Sequence, residues 1–433
     1  MSMIDEYGSA SPESEGDGYS SSRLSRRGLR TFESFKIPAY RIFFASYLGQ
    51  WAAMSMQMMA RSLLIYRLTG SGAIIGVLAL AQAIPQLLIG FLGGAIADRI
   101  QKKYIIIISQ IFTGMLSLLV ALALSVGYLS EDNPGSWWIL VLTAVGQGIM
   151  MGLMMPARIA IIPEIVGGER VMNAISLTMM GQTVFQLAGP ALAGFLIESY
   201  EFASVYFFMT GMFAMSTIIV SFLPRTSKTI TRERGNTFRD VVEGFRYIRR
   251  ETIFTLIVIF GICHMISGMP YQQLLAIFTE DVLKVGEMGL GILLTVSGVG
   301  AGVSSLILAS LPNRRRGLLL LFSGIVMSVP LIVFSFSRSW VLSLSMMPFI
   351  GMGPAMHGAL TGTLIQYYAD PNYRGRMQSF TAMGAGLASV GTFIAGIMSD
   401  AIGVQWAVGS MAIFLSAVTV GFYIFSRRIR QLE

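Results

Sequence analysis

The sequence predicts an all-α membrane protein of twelve transmembrane helices arranged as two pseudo-symmetric six-helix bundles. Three observations carry that expectation. The 433-residue chain is 54% hydrophobic and only 12% charged, whereas average soluble domains carry about 25% charged residues. The apolar residues fall in long runs separated by short charged clusters. The first half of the chain also recurs, in weakened form, in the second.

Crossing about 30 Å of hydrocarbon takes roughly 20 apolar residues. Runs of that size lie at 41–66, 73–97, 104–126, 137–157, 172–198 and 204–223 in the first half. In the second they lie at 252–278, 288–311, 317–336, 340–364, 377–399 and 405–425. Each must be helical, because lipid satisfies no free backbone group. Shifted by 215 residues, GVLALAQAIPQLLIGFLGGAIADR lies on GILLTVSGVGAGVSSLILASLPNR, so that Gly76 matches Gly291 and Asp98 matches Asn313. Shifted by 202, AGPALAGFLIE lies on VGTFIAGIMSD, with Gly189 on Gly391 and Gly194 on Gly396. A parallel duplication of this kind is a transporter architecture with its site at the interface of the halves.

The resulting organisation is a disordered tail over 1–35, a six-helix bundle over 36–223, a linker over 224–250, a second bundle over 251–426 and a basic tail over 427–433. The first 22 residues are acidic, rich in Ser and Gly, and nearly free of large aliphatics, so they cannot form a core. NTFRDVVEGFRYIRR in the linker reads as a basic amphipathic helix on the membrane surface. Lys and Arg collect in the links at 99–103, 158–170 and 224–250, and at Arg314–Arg316, Arg374, Arg376 and Arg427–Arg430. The opposite side holds Arg67, Lys284 and Arg338 against Glu131, Asp132, Glu201, Glu280, Asp281 and Asp400. The positive-inside rule makes the basic side, with both termini, cytoplasmic. The net charge of +8 therefore belongs to a membrane surface, and no nucleic acid is expected as a partner. Cys263 is the single cysteine, so no intrachain disulfide forms. Its neighbour His264 does not by itself make a metal site, and no cofactor is implied.

YRLTGSGAIIGVLALAQAIPQLL, GGAIADRIQKK, IPEIVGGERVMNAISL, LAGPALAG, FRDVVEGFRYIRR and NYRGRMQS together resemble the major facilitator superfamily. The likeness runs from about residue 36 to 426. More narrowly, they are similar to the branch of siderophore exporters and macrolide-efflux pumps. The resemblance implies the major facilitator fold. It also implies that GGAIADRIQKK is the gating loop between helices two and three, with Gly94, Asp98, Arg99, Lys102 and Lys103 on its key positions and Gln101 replacing a glycine. That fold sets Arg374 and Arg376 opposite Asp98. Asp98 is an anion able to pair with arginines or with a helix N-terminus; a solvated Asp in a positive-inside stop is the bland alternative. GPALAG resembles the helix-five motif of exporters, in which Gly189, Pro190 and Gly194 form a packed hinge. Gly90 and Gly94, with Ser305 and Ala309, read as packing seams.

One departure stands out. Gln147-Gly148 keeps a pair seen in proton-coupled exporters, but Ala144 occupies the place of their arginine, and no Asp or Glu lies in the middle of a span. Glu198 and Asp400 fall at span ends. Intramembrane polar residues default to functional hypotheses. Helices one, four, seven and ten line the cavity in the implied fold. They carry Gln50, Gln57, Arg61, Gln147, His264, Gln272, Gln273 and His357 as candidate cavity residues. Arg61 either snorkels or bonds between helices, or else meets substrate; the two histidines either line the cavity or pack helices. The 29 methionines suit a promiscuous apolar site or simply the core and lipid face.

The expected function is secondary active export of a bulky amphiphilic small molecule, drug-like or a siderophore, by alternating access. A lipid or lysolipid flippase of the same fold and a non-transporting membrane receptor are the alternatives. No GxxxxGK[ST] loop and no nucleophile–base–acid set appears, so neither an ATP-driven pump nor an enzyme is expected. The expected partners are the small-molecule substrate, the lipid bilayer and protons as the coupling ion. The expected state is a monomer in the plasma (inner) membrane.

Overall fold

The computed structural model describes residues 30–133, 135–224, 246, 251–311, 315–370, 373 and 384–430. The tail over 1–29, almost all of the 224–250 linker, Arg314, Arg374 and Arg376 lie outside the described residues. Within α2, nothing is described of the side chains of Gly94, Asp98 and Arg99.

The described chain is helical. The first half contains α1 (Pro38–Thr69), α2 (Gly72–Arg99), α3 (Lys102–Ser125), α4 (Trp138–Val166) and α5 (Val171–Ser221). The second contains α6 (Thr252–Gly268), α7 (Tyr271–Ile277), α8 (Gly286–Ser310), α9 (Arg316–Phe336), α10 (Trp340–Tyr368), α11 (Gly384–Ile402) and α12 (Val404–Phe425). Local chemistry sets the ends. Pro38 opens α1, where its missing N–H costs nothing. Gly70, at φ 61°, closes α1 in the left-handed region, and its N–H bonds Tyr66 O at 2.7 Å. Ser71 then caps α2 by accepting from Ile74 N.

Membrane crossing differs from the sequence expectation. Among the described residues, eight helical runs are long and apolar enough to span a bilayer, not twelve in two six-helix bundles. The reasons are compositional and geometric. The runs expected at 172–198 and 204–223 belong to one continuous stretch, Gly168–Ser221, which bends at Glu201 (φ 73°). α1 carries Arg41, Arg61 and Arg67 among glutamines and serines, and α10 interleaves Ser, Gly, Pro and His. Both are helices, but polar ones. The apolar part of α11 described as such, Gly386–Ile402, is shorter than a full span. These differences account for the gap, and an all-α, multi-pass membrane fold stands.

Packing is asymmetric along the helix axes. One large core joins both halves at the end near Arg67, mixing Met56, Leu63 and Ile75 with Tyr271, Phe278, Leu293 and Leu415. At the Asp98 end two separate clusters replace it. One holds Tyr40, Phe43, Ile161 and Val220 of the first half. The other holds Phe254, Phe260, Leu320 and Leu364 of the second. Apolar side chains such as Leu306 and Val341 point outward instead, as a lipid-facing surface requires.

The internal repeat is visible in how glycines let backbones meet. Gly194 of α5 abuts the backbone of Glu287 at the start of α8, and its repeat partner Gly396 of α11 abuts the backbone of Gly72 at the start of α2. Gly189 meets Ser55 of α1, and its partner Gly391 meets Ile266 of α6. The α2–α4 seam has Gly152 packed on the backbone of Gly90 and Gly93 facing the backbone of Gly152, while a Cβ on Gly90 itself would meet open space. Gly194→Ala should therefore force the α5–α8 backbones apart, at a cost of about 1–3 kcal/mol. Gly90→Ala should be neutral or stabilising by up to about 1 kcal/mol. Thermal unfolding in detergent checks the pair, and equal midpoints for the two variants would refute the packing assignment.

Candidate functional site

A cavity of about 710 Å³ lies between the halves, lined by α1, α2, α4 and α5 on one side and by α7, α8 and α10 on the other, with Thr113 of α3, Met269 before α7 and Ser389 of α11 completing it. Its wall is built from two residue types. Amides come from Gln50, Gln57, Gln82, Gln86, Gln147, Gln186, Gln272 and Gln273. Thioethers come from Met54, Met58, Met59, Met151, Met154 and Met269. Amides donate and accept without carrying charge, and thioethers adapt to irregular apolar shapes. Arg61 is the one charged residue among the described lining; no carboxylate or histidine belongs to it.

The polar groups form a chain of hydrogen bonds rather than isolated contacts. The Arg61 guanidinium is largely buried and donates to Gln147 Oε1 at 2.8 Å and to Gln82 Oε1. Gln147 in turn donates to Gln57 Oε1. A second chain runs deeper in the first half, where Gln110 donates to Gln50 Oε1 at 2.9 Å and Gln50 donates to Met154 Sδ at 2.9 Å. Arg61 thus bonds between helices and lines the cavity at once. Gln82, Gln86 and Gln186 were not singled out in the sequence, although a glutamine inside an apolar run was the available signal.

The structure divides the other candidates. Gln50, Gln57, Gln147, Gln272 and Gln273 lie on the cavity. His264 and His357 do not. They are buried and stacked on each other, with ring centroids 4.2 Å apart and planes at 8°, and Phe260 packs beside both rings. They join α6 to α10 behind the wall. In the loop motif, Lys102 Nζ pairs with Glu164 at 2.6 Å and Lys103 Nζ caps the end of α5 through Ser221 O and Leu223 O. Both lysines therefore bind elements of their own half. Pro190 lines the cavity, and its carbonyl is approached by Gly291 of α8.

The described contacts that hold the halves together at one end involve residues absent from the candidate set. Arg67 pairs with Glu280 at 2.9 Å and Glu287 at 2.6 Å, and Tyr66 donates to Asp281. Asp400, at the end of α11, accepts from Ser71 Oγ at 2.5 Å and from the N–H groups of Gly72 at 2.6 Å and Ala73 at 3.1 Å. An anion from the second half thus caps a helix of the first. The excess of acids over the three cations on that side was legible in the sequence; their pairing across the halves was not. Arg158 is a further surprise. The sequence set it in a basic link, but it is a buried residue of α4, with its guanidinium 4.9 Å from the Tyr47 ring centre.

Residues 42–392 match the family model described as Major Facilitator Superfamily. The chain is 22% identical to the staphyloferrin A transporter of Staphylococcus aureus over 82% of this chain and 88% of that protein. It is 20% identical to macrolide efflux protein A of Streptococcus pyogenes over 87% of this chain and 93% of that protein. A 25% identical match to the MFS-type transporter YfiS of Bacillus subtilis spans 63% of this chain and 62% of that protein. Among solved structures, a bacterial homolog of the human lysosomal transporter Spinster, in an inward-facing and unoccupied conformation, superposes with a TM-score of 0.69 at 16% identity. That superposition covers 93% of this chain and 98% of the other.

The Asp400 cap has a measurable consequence. Asp400→Ala removes an N-cap worth about 1 kcal/mol, which corresponds to roughly a fivefold rise in the population open at the Arg67 end. Asp400→Asn keeps a capping oxygen and should shift it less. Distance distributions between spin labels on α2 and α11 at that end measure the shift, and identical distributions in wild type and Asp400→Ala would overturn the assignment.

Proposed function

We propose a specific task for this chain, which belongs to the major facilitator superfamily and is therefore a multi-pass secondary transporter rather than an enzyme: export of a bulky amphiphilic small molecule by alternating access. The observation that carries the reading is the cavity itself. It is large, it presents amides and thioethers rather than catalytic groups, and it lies between halves that share a core at one end only. A neutral, hydrogen-bonding wall on a flexible apolar base suits ligands that combine rings or chains with scattered polar atoms. The likeness to a macrolide efflux protein supports the exporting direction, and that to a staphyloferrin A transporter supports a small-molecule substrate.

In this reading the contacts around Arg67 and Asp400 form one gate. Asp98 with Arg374 and Arg376 forms the other, at the opposite end, and the turn at Gly189, Pro190 and Gly194 is the hinge between them. Substrate enters the cavity from the cytoplasm and bilayer while the Arg67 gate is shut. It leaves when that gate opens and the Asp98 gate closes. A ligand drives such a cycle only by binding the two states differently, and the cavity wall spans both halves, so its shape changes with their relative position.

The cavity lining makes a direct test. In a Cys263→Ser background, cysteines at Gln57, Gln272 and Gln273 should react with a small polar thiol reagent applied from the Asp98 side, and a bound amphiphile should slow the reaction several-fold. Cysteines at His264 and His357 should stay inert. In inverted vesicles the same protein should accumulate a labelled amphiphile, with and without an imposed pH gradient distinguishing the energy source. Vesicles that move no amphiphile under either condition would refute the exporter reading.

A further inference from the structure

The proposed function leaves the charge of the substrate open, and the first half of the chain bears on it. Arg61 is 8% exposed and lines the cavity, yet both groups that hold it are neutral amide oxygens, on Gln82 and Gln147. The acids that join the halves at the Arg67 end are engaged with other groups: Glu280 and Glu287 pair with Arg67, Asp281 accepts from Tyr66, and Asp400 caps α2. A second cation repeats the pattern independently. Arg158 is 4% exposed, and among the described residues neither Nη1 nor Nη2 has a hydrogen-bond partner. It sits one helical turn beyond Met154, which lines the cavity, with the Tyr47 ring against it. A buried ion without a counter-charge is costly. Here there are two, on the same side of one cavity whose described lining holds no carboxylate.

Resting on the exporter reading, we propose that the cavity carries its substrate as an anion, an amphiphile whose carboxylate-type oxygens displace Gln82 and Gln147 from the Arg61 guanidinium. The planar fork of arginine matches two oxygens of one anionic group, and such charge-assisted bonds are roughly twice as strong as those to neutral amides. The displaced amides remain able to hold the guanidinium again when the substrate leaves, so the cation is never stranded. Arg158, eleven residues along α4 from Gln147, adds positive potential to the same half. The methionines receive the apolar body. A cationic amphiphile of equal bulk meets the like charge of Arg61 here.

Trp51 lines the same cavity and serves as the reporter. In full-length protein with the other tryptophans changed to Phe, reconstituted in phosphatidylcholine nanodiscs, the iodide-to-caesium quenching ratio of Trp51 should exceed that of free N-acetyltryptophanamide several-fold. Dansyl-leucine should half-saturate energy transfer from Trp51 at about tenfold lower concentration than its neutral amide, dansyl-leucinamide. Arg61→Gln should remove both preferences, while Arg61→Lys keeps the charge and part of each. An iodide-to-caesium ratio no higher than that of free N-acetyltryptophanamide, or no preference for the acid over the amide, overturns the inference. Loss of the acid's preference when phosphatidylglycerol is added assigns the site to an anionic lipid headgroup and overturns the soluble substrate. None of these readouts requires transport, so a cavity that prefers the acid but moves none of it overturns the exporter reading and leaves the charge inference standing.

Discussion

Asp400 caps a helix that belongs to the other half of the chain, and much of the remaining structure depends on that contact. The N-terminus of α2 presents free N–H groups and the positive end of a helix dipole. The carboxylate that satisfies them comes from the end of α11. Beside it, Arg67 is held by two glutamates of the second half. Each ion pair is partly exposed and is worth about 1 kcal/mol or less on its own. Their joint effect is geometric. They bring α1 and α2 against α7, α8 and α11, so a single apolar core forms across the halves at this end. At the other end nothing comparable is described, and the cores stay separate. The cavity exists because the halves are joined unevenly.

That arrangement also explains the cavity's chemistry. A closing end rich in acids consumes its carboxylates in holding the halves together, and the described cavity wall is left with amides and one arginine. Several of the amides form chains that link one helix to another, as between Arg61, Gln147 and Gln57. Satisfied networks of this kind fix side chains in place, whereas an unpaired polar group in the same setting would be a liability. The stacked His264 and His357 pair serves a different purpose. Set behind the wall against Phe260, it fastens α6 to α10.

The internal duplication shows how one packing solution serves twice. Gly194 and Gly396 occupy matching places in the sequence repeat and make matching backbone contacts, each at the start of a helix from the opposite half. The acids near these contacts do not match: Glu287 binds Arg67, whereas Asp400 binds a helix end. The repeat preserves the close approach and lets the charges diverge, which makes the closure asymmetric.

The helical, membrane-spanning character of the chain was legible in its sequence, because burying a backbone in lipid demands long apolar helices and leaves few alternatives. The repeat was legible too, since small residues at fixed spacing record where helices approach. The glutamines at 50, 57, 147, 272 and 273 declared themselves as polar residues inside apolar runs. Other features belonged to the tertiary structure. Hydropathy separated 172–198 from 204–223, and helical geometry does break between them, but it carried no sign that the helical run would resume directly through the kink at Glu201. It could not tell a histidine facing a cavity from one stacked behind it, since both cost the same in an apolar run. Nor could it show that Arg158 would be drawn inside a helix bundle while Asp400 reached across to cap α2. Pattern along the chain records what each residue prefers as an environment. Which residue meets which, hundreds of positions away, is decided only when the helices pack.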